Sequence, residues 1–414
     1  MADMPPPTVA PVEVVVPRLP AAASDAAFSV ITLDAADIEG RQRVDQVLSQ
    51  APGVSLFRRN SSVAANPTTQ GVSLRSIAPS GAGRALVTLD GVPQNDPFGG
   101  WVIWAGLPPE LIEGISLVRG GGAGPYGAGA LTGVINLSER TSEGVEIDLR
   151  GGELGSKRGA VVYETQANGY DFLIGGSAGE TDGYIPVREG RGAADTKLSA
   201  SDWNVATRLS GEIGQSLFSL RLSAFDEDRE AGLVGAAAQA SGRAASLTVG
   251  ASPTPNSLGY RVQVWARHSN LENSSASVAA DRSSTTPASN QYKTPADGYG
   301  FNAALRGGQR DLEWELGADV RAASGESNEL FRYMSGAFTR NRVAGGETLV
   351  AGVYAEGARV TGPWLLTGGV RVDRWSSSDA KRLETDTSTG AVTLNAPSPD
   401  QDGWLPTARA GLRR

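Results

Sequence analysis

The chain has 414 residues, with 37 basic against 45 acidic side chains and a net charge of −8, so two or more folded units are expected and nothing in the charge balance invites a phosphate backbone to bind. It holds no cysteine and a single histidine, His268, which rules out disulfides, cysteine metal sites, multi-histidine zinc sites and histidine-dependent triads. Its 53 glycines and 40% hydrophobic content suit an extended sheet protein, and the lack of any run of about 18 apolar residues excludes a spanning helix but not a spanning barrel.

Residues 1–27 are rich in Pro and Ala and are expected to be mobile. The start, MADMPPPTVAPVEVVVPRLP, has no charged region followed by an apolar one and no cleavage pattern, as expected if a signal peptide was removed or lies upstream. One island interrupts it. Val12, Glu13, Val14, Val15 and Val16, between Pro11 and Pro17, form a short β-forming run. It could add a strand to another protein's exposed edge, or be an incidental apolar patch in a tail.

From Phe28 the pattern tightens. FSVITL reads as a strand, and Asp34 or Asp37 could cap a helix through Ile38, Val44, Val47 and Leu48, ended by Ala51-Pro52-Gly53. VSLF is a strand and residues 60–69 a polar loop. GVSLRS (71–76) and RALVTLDGVPQND (84–96) are strands, the second turning at Asp90-Gly91. Phe98, Trp101 and Trp104 then lie among glycines before a helical PPELIEG, either as buried aromatics or as a ligand-contacting loop. Residues 112–137, IEGISLVRGGGAGPYGAGALTGVINL, join two apolar strands through a glycine tract whose backbone can pass close to a neighbouring surface. Gly122, Gly124 and Gly127, with Glu143 downstream, match a dinucleotide fingerprint in spacing. However, Pro125 interrupts it, and a strand follows where the fingerprint needs a helix.

After Thr141 the text changes. Segments of about ten residues alternate apolar with polar: Val145, Ile147 and Leu149 against Glu146, Asp148 and Arg150; Leu312, Trp314, Leu316 and Val320 against Glu313, Glu315, Asp319 and Arg321. About a dozen such segments follow, with the length and period of membrane-spanning strands. Some joins are short, as at 307–310, and others long and polar, as at 271–298 and 379–402. Tyr260, Trp364, Trp375 and Trp404 fit interfacial girdles. Arg208, Glu212, Arg221, Asp226, Asp228, Arg261, Arg267, Asp319 and Arg321 follow the strand period and are expected to line a lumen, with His268 at a strand end or rim. Asp400-Gln401-Asp402-Gly403 echoes a calcium loop without its remaining ligands. The whole is a mixed α+β domain followed by antiparallel transmembrane β-barrel strands.

FSVITLDAADI, VDQVLSQAPGVSL, GVSLRS, LVTLDGVPQND and above all residues 112–137 resemble, in that order, the plug domain of TonB-dependent outer-membrane receptors. The resemblance divides the chain into an N-terminal segment (1–27), a plug (28–142) and a partial barrel (143–414). It implies a plug filling a barrel of about 22 strands, an outer-membrane location with its lipid, and a TonB box at residues 12–16 that pairs with TonB and its inner-membrane energising complex. It implies energised uptake of a scarce nutrient, foremost a ferric siderophore or similar metal chelate, with no cofactor and no covalent chemistry. The ligand would meet the plug apices Asn60, Ser61, Ser62, Asn95, Phe98, Trp101 and Trp104, and the long loops at 271–298 and 325–346. Arg75, Arg84, Asp90 and Arg119 would hold the plug by pairing with each other or with wall carboxylates.

Two departures stand out. Only about 270 residues follow the plug, too few for 22 strands and their loops. The chain also ends at GLRR, without the family's aromatic-ended last strand, so a fragment with about half of the strands is expected. A passive porin-like or adhesive barrel and a soluble nucleotide-binding enzyme are the alternative readings.

Overall fold

The computed structural model describes residues 29–58, 60–75, 77, 80–120, 124–127, 129–254, 256–309 and 311–414. The candidate coupling run, Val12 to Val16, lies outside the described residues. The first unit is built on a five-stranded sheet. Its strands are β1 (Ser29–Asp34), β4 (Leu86–Leu89), β5 (Val92–Pro93), β6 (Ile112–Arg119) and β7 (Gly133–Glu139), in the order β1-β6-β7-β4-β5, and β2 (Val54–Leu56) pairs separately with β3 (Val72–Leu74). Among the described residues, only β4 and β7 run parallel.

The single helix expected after β1 is two short ones, α1 (Ala35–Ile38) and α2 (Val44–Leu48). Asp34 caps α1 by accepting from Ala36 and Asp37 N–H, and Asp37 returns the bond to Asp34. Gly40, at φ +79, then takes a left-handed turn that an α-helix cannot continue through. PPELIEG is likewise a single 3-10 turn, Pro109–Leu111, running straight into β6. Leu48, Leu74, Val87, Trp104, Ile115, Leu117, Ile135 and Leu137 close one core between this sheet and the two helices.

The second unit is one antiparallel sheet of fourteen strands. In chain order these are β8 (Gly144–Gly151), β9 (Lys157–Ala167), β10 (Tyr170–Thr181), β11 (Ala200–Ile213), β12 (Ser216–Glu230), β13 (Ala237–Ala251), β14 (Gly259–Val278), β15 (Thr285–Lys293), β16 (Pro295–Gln309), β17 (Leu312–Met334), β18 (Ala337–Thr361), β19 (Trp364–Asp386), β20 (Val392–Pro397) and β21 (Gln401–Arg413). β15 and β16 both lie between β14 and β17, and β20 and β21 both pair with β19, so each couple acts as one interrupted strand.

Polarity along these strands is inverted relative to a soluble sheet. On β11, Asp202, Asn204, Ala206 and Arg208 turn inward, and Trp203, Val205 and Leu209 are exposed; on β8, Leu149 is 80% exposed while Arg150 is covered. That is the alternation of a wall with lipid outside and polar groups inside. No helix among the described residues is long and apolar enough to cross a membrane.

The joins at one end are tight, as at 168–169, 214–215 and 362–363. At the other end, the stretches 271–298, 325–346 and 379–402, expected as loops, are mostly strand. β17, β18 and β19 run for 23, 25 and 23 residues, about twice what a bilayer needs. Their distal halves lack alternation because both faces meet water, while the ladder continues through local irregularities at Arg332 and between Gly345 and Glu347.

Candidate functional site

The wall curves around the first unit, and the contact between them is mostly polar, with apolar patches where Ile103 and Ala105 meet Ala240, Leu271 and Phe225 and where Leu111 meets Val162, Leu173 and Ala206. Strand β14 shows how it is made, since successive inward side chains climb the plug. Arg261 Nη2 and Gln263 Nε2 donate to the Asp90 carbonyl at 2.6 and 3.1 Å. Arg267 Nη1 donates to the carbonyls of Pro93 and Asn95 at 2.5 and 3.3 Å. Ser269 Oγ donates to Asp96 Oδ2 at 2.6 Å, Leu271 packs with Ile103 and Ala105, and Asn273 Oδ1 accepts from Asn66 Nδ2 at 2.8 Å.

Buried ion pairs fix the plug on the β9 to β12 side. Arg43 of the plug meets Asp202 and Glu227 at 2.7 and 3.4 Å, Glu110 meets Arg158 at 3.0 Å, and Glu139 bridges Arg208 at 3.2 Å and Arg221 at 2.8 Å. Arg208, 1% exposed, also holds Glu164 at 2.5 Å. Arg229 binds Glu227 and the Ala65 carbonyl, so the same network reaches the 60–69 loop. Inside the plug, Asp45 pairs with Arg58 and accepts from the Ser62 hydroxyl at 2.6 Å. Burial pushes the Arg58 guanidinium below its ordinary value, and Asp45 opposes that shift.

The glycine tract is clamped from the opposite side. Arg371 donates to the Gly124 carbonyl at 3.2 Å and Arg321 to the Tyr126 carbonyl at 3.0 Å. Arg371 is itself fixed by Asp319 and Asp373, each at 2.6 Å. Gly127, at φ +57, lies so near the Arg371 guanidinium that a Cβ would collide with it. Here the glycines serve a close approach, not a nucleotide.

Of the apical residues expected to meet a ligand, Asn60 and Phe98 are exposed and Ser61 and Trp101 half-buried. Of the other three, Ser62 and Trp104 are buried and Asn95 is half-buried. Ser62 ties its loop to α2. Asn95 pins its own loop through Val87 N, Ala85 O and Gly100 O. Trp104 is 0% exposed in the plug core, where so large an apolar surface gains most from burial.

The four plug charges are held in different ways. Arg75 is exposed at φ +61 and makes no ion pair among the described residues. Arg84 binds Val72 and Thr132 through its main chain, and Arg119 donates to the Pro52 carbonyl within the plug. Asp90 meets the wall through its carbonyl, and its carboxylate accepts from Glu139 N–H at 3.4 Å. Charges that join plug to wall include Arg43, Glu110, Glu139 and Arg140, the last paired with Glu146 of β8.

Among the charges expected in the lumen, Arg208, Arg221, Arg261, Arg267 and Arg321 contact the plug and Asp319 holds the Arg371 clamp. Glu212 is exposed at the short-turn end. Asp226 and Asp228 share the parity of the outward Leu220 and Leu222. His268 faces outward beside Asp297, Nδ1 to Oδ1 2.9 Å.

Residues 22–134 match the TonB-dependent Receptor Plug Domain family. The vitamin B12 transporter BtuB of Vibrio vulnificus is 31% identical over 105 residues, covering 24% of this chain and 17% of that protein. The ferrienterobactin receptor of Escherichia coli is 30% identical over 113 residues, covering 24% and 14%. Among solved structures, the copper transporter OprC superposes with a TM-score of 0.71 at 17% identity, over 92% of this chain and 61% of its own. The unliganded ferric citrate transporter FecA gives 0.67 at 16%, over 94% and 60%. The chain therefore spans less than two thirds of the length of each of these relatives.

Proposed function

We propose, from the premise that this chain carries a TonB-dependent receptor plug domain within the fold of TonB-dependent receptors, that it serves energised uptake of a scarce nutrient across the outer membrane. The cargo we propose is a ferric siderophore or a similar metal chelate, in keeping with what the named relatives carry. One observation carries the reading: a folded domain occupies the concave side of a lipid-facing wall and is held there by buried ion pairs at Arg43, Glu110 and Glu139. A passive pore has no use for such an obstruction, whereas an energised one needs something to displace.

In this reading the ligand is met by Asn60, Ser61, Phe98 and Trp101 at the plug apex. Its binding biases the plug only insofar as it binds the two plug states unequally. Residues 12–16 pair as a strand with TonB in the periplasm. The test is uptake of radiolabelled ferric enterobactin, ferric citrate and vitamin B12 by cells carrying the complete receptor. Uptake of at least one probe should collapse with a proton-gradient uncoupler and with Val14→Pro. Flux that ignores the uncoupler would identify a passive barrel instead.

A further inference from the structure

On the outer face of the wall, the outward side chains of β12, β13, β14 and β16 stand in registered rows across the sheet. Three successive rows are apolar, the last of them Leu222, Ala245, Ala266 and Tyr299. The next is Ala224, Arg243, His268 and Asp297. His268 stands nine residues along β14 from Gly259, a climb of about 23 Å for a strand tilted by about 40°. The apolar band of a spanning barrel is about 25 Å tall. The charged row therefore marks the level at which lipid chains give way to headgroups, at the end away from the tight joins. Tyr299, exposed just below it, suits that boundary.

Other outward charges on the wall neutralise one another across the ladder. Lys157 meets Glu180 at 2.9 Å, and Arg374 meets Asp402. Arg243 is different. It is exposed, faces Ala224 on one side and His268 on the other, and makes no ion pair among the described residues. Asp226, the nearest outward acid on β12, is registered with Ser241 and accepts from Gln239. His268 Nδ1 is held by Asp297 at 2.9 Å, which fixes the ring and leaves Nε2 without a partner among the described residues. Two cationic side chains directly opposite each other cost an antiparallel pair stability; an anion between them would remove that cost. The small Ala224, Ala245 and Ala266 around the pair leave room for a bulky headgroup.

We infer that Arg243 and His268 form a docking site for a lipid bearing a phosphomonoester, in the leaflet on the tall-strand side of the wall. Arginine presents paired N–H groups that match two phosphate oxygens. With Nδ1–H given to Asp297, a proton at His268 Nε2 supplies a further donor. The lipid's chains then continue down the apolar rows beneath, and this continuity with the lipid-facing surface selects a membrane lipid over a soluble anion. The inference goes beyond the transport reading and needs only that the wall faces lipid.

Native mass spectrometry of the complete receptor in detergent, titrated with dioleoyl phosphatidic acid, reads the site. The wild type should hold this lipid more tightly than dioleoyl phosphatidylcholine, which lacks the free phosphomonoester. Arg243→Gln should weaken phosphatidic acid binding about tenfold, the loss of a charge-assisted contact, and His268→Gln by a smaller factor. Arg374→Gln, on the same outer face, should bind as the wild type does, and inorganic phosphate at equal concentration should not compete. Unchanged binding in both Arg243→Gln and His268→Gln, or an equal loss in Arg374→Gln, overturns the inference. Equal affinity for the two lipids overturns the phosphomonoester, and displacement by inorganic phosphate overturns a lipid as the occupant.

Discussion

The plug sheet and the wall are written in the same two-residue rhythm with opposite polarity. In β7 the apolar Val134, Ile135 and Leu137 are buried, whereas in β11 Arg208 and Ser210 are buried and Val205 and Leu209 exposed. The rhythm makes a strand; the medium beyond it decides which side chains go out. Where the two units meet, polar groups face polar groups over most of the contact, broken by small apolar patches around Ile103 and Leu111. Joined there chiefly by hydrogen bonds and ion pairs, the plug can shift against the wall while its own apolar core stays closed.

The strongest way to break this contrast is inside the plug. Trp104→Ala should cost about 3–5 kcal/mol of plug stability, read by chemical denaturation of the complete receptor. A small loss would mean that its core is not the apolar one described. Next is the junction itself. Glu139→Gln leaves Arg208 and Arg221 buried against a neutral partner and should cost about 3 kcal/mol. A double-mutant cycle with Arg221→Gln should recover part of that cost, and strict additivity would show that the two groups are not coupled.

On the wall's outer side, Val205→Arg should lose about 2 kcal/mol on folding into lipid vesicles, while Ser223→Glu on the inward face, beside the Arg221 guanidinium, should be far milder in that assay. Equal penalties on the two faces would erase the inversion.

The smallest expected effect sharpens the contrast at the distal rim. There Arg282 holds the Asp195 carboxylate, in the segment between β10 and β11, through bonds of 2.9 and 3.0 Å. The Arg282 hydrogen bonds and the Gly192 N–H lower its pKa from 3.8 to about 2. A depressed carboxylate stabilises above its unfolded value and loses that contribution as pH falls through the folded one. Protease resistance of residues 182–199 should thus stay constant from about pH 8 to 5 and fall progressively from about pH 4 to about pH 2. A change near neutrality would implicate another group.

Much of this was legible in order and period. The glycine tract reads as a loop between two strands because Ile115, Leu117, Ile135 and Leu137 flank it with alternation, and the wall announces itself through runs such as 145–150. What escaped had no local signature. Arg43 meets Glu227 across most of the plug and four wall strands, and nothing near either residue indicates the other; at most, Glu139 closing an apolar strand hints at a buried partner. Trp104 and Phe98 sit in similar glycine-rich surroundings, yet one is core and the other surface, a distinction made by the sheet behind them. The tall ends of β17 to β19 read as loops because water on both faces removes the alternation on which strand recognition depends.

The ladder on β14 has a consequence for how far plug and wall must match. Arg261, Gln263 and Arg267 grip main-chain oxygens of Asp90, Pro93 and Asn95, groups that every amino acid supplies. Along this lower part of the strand the wall reads the path of the polypeptide and is nearly blind to its spelling, whereas above it Ser269 and Asn273 read Asp96 and Asn66. A foreign stopper of the same backbone course could be seated on those three rungs.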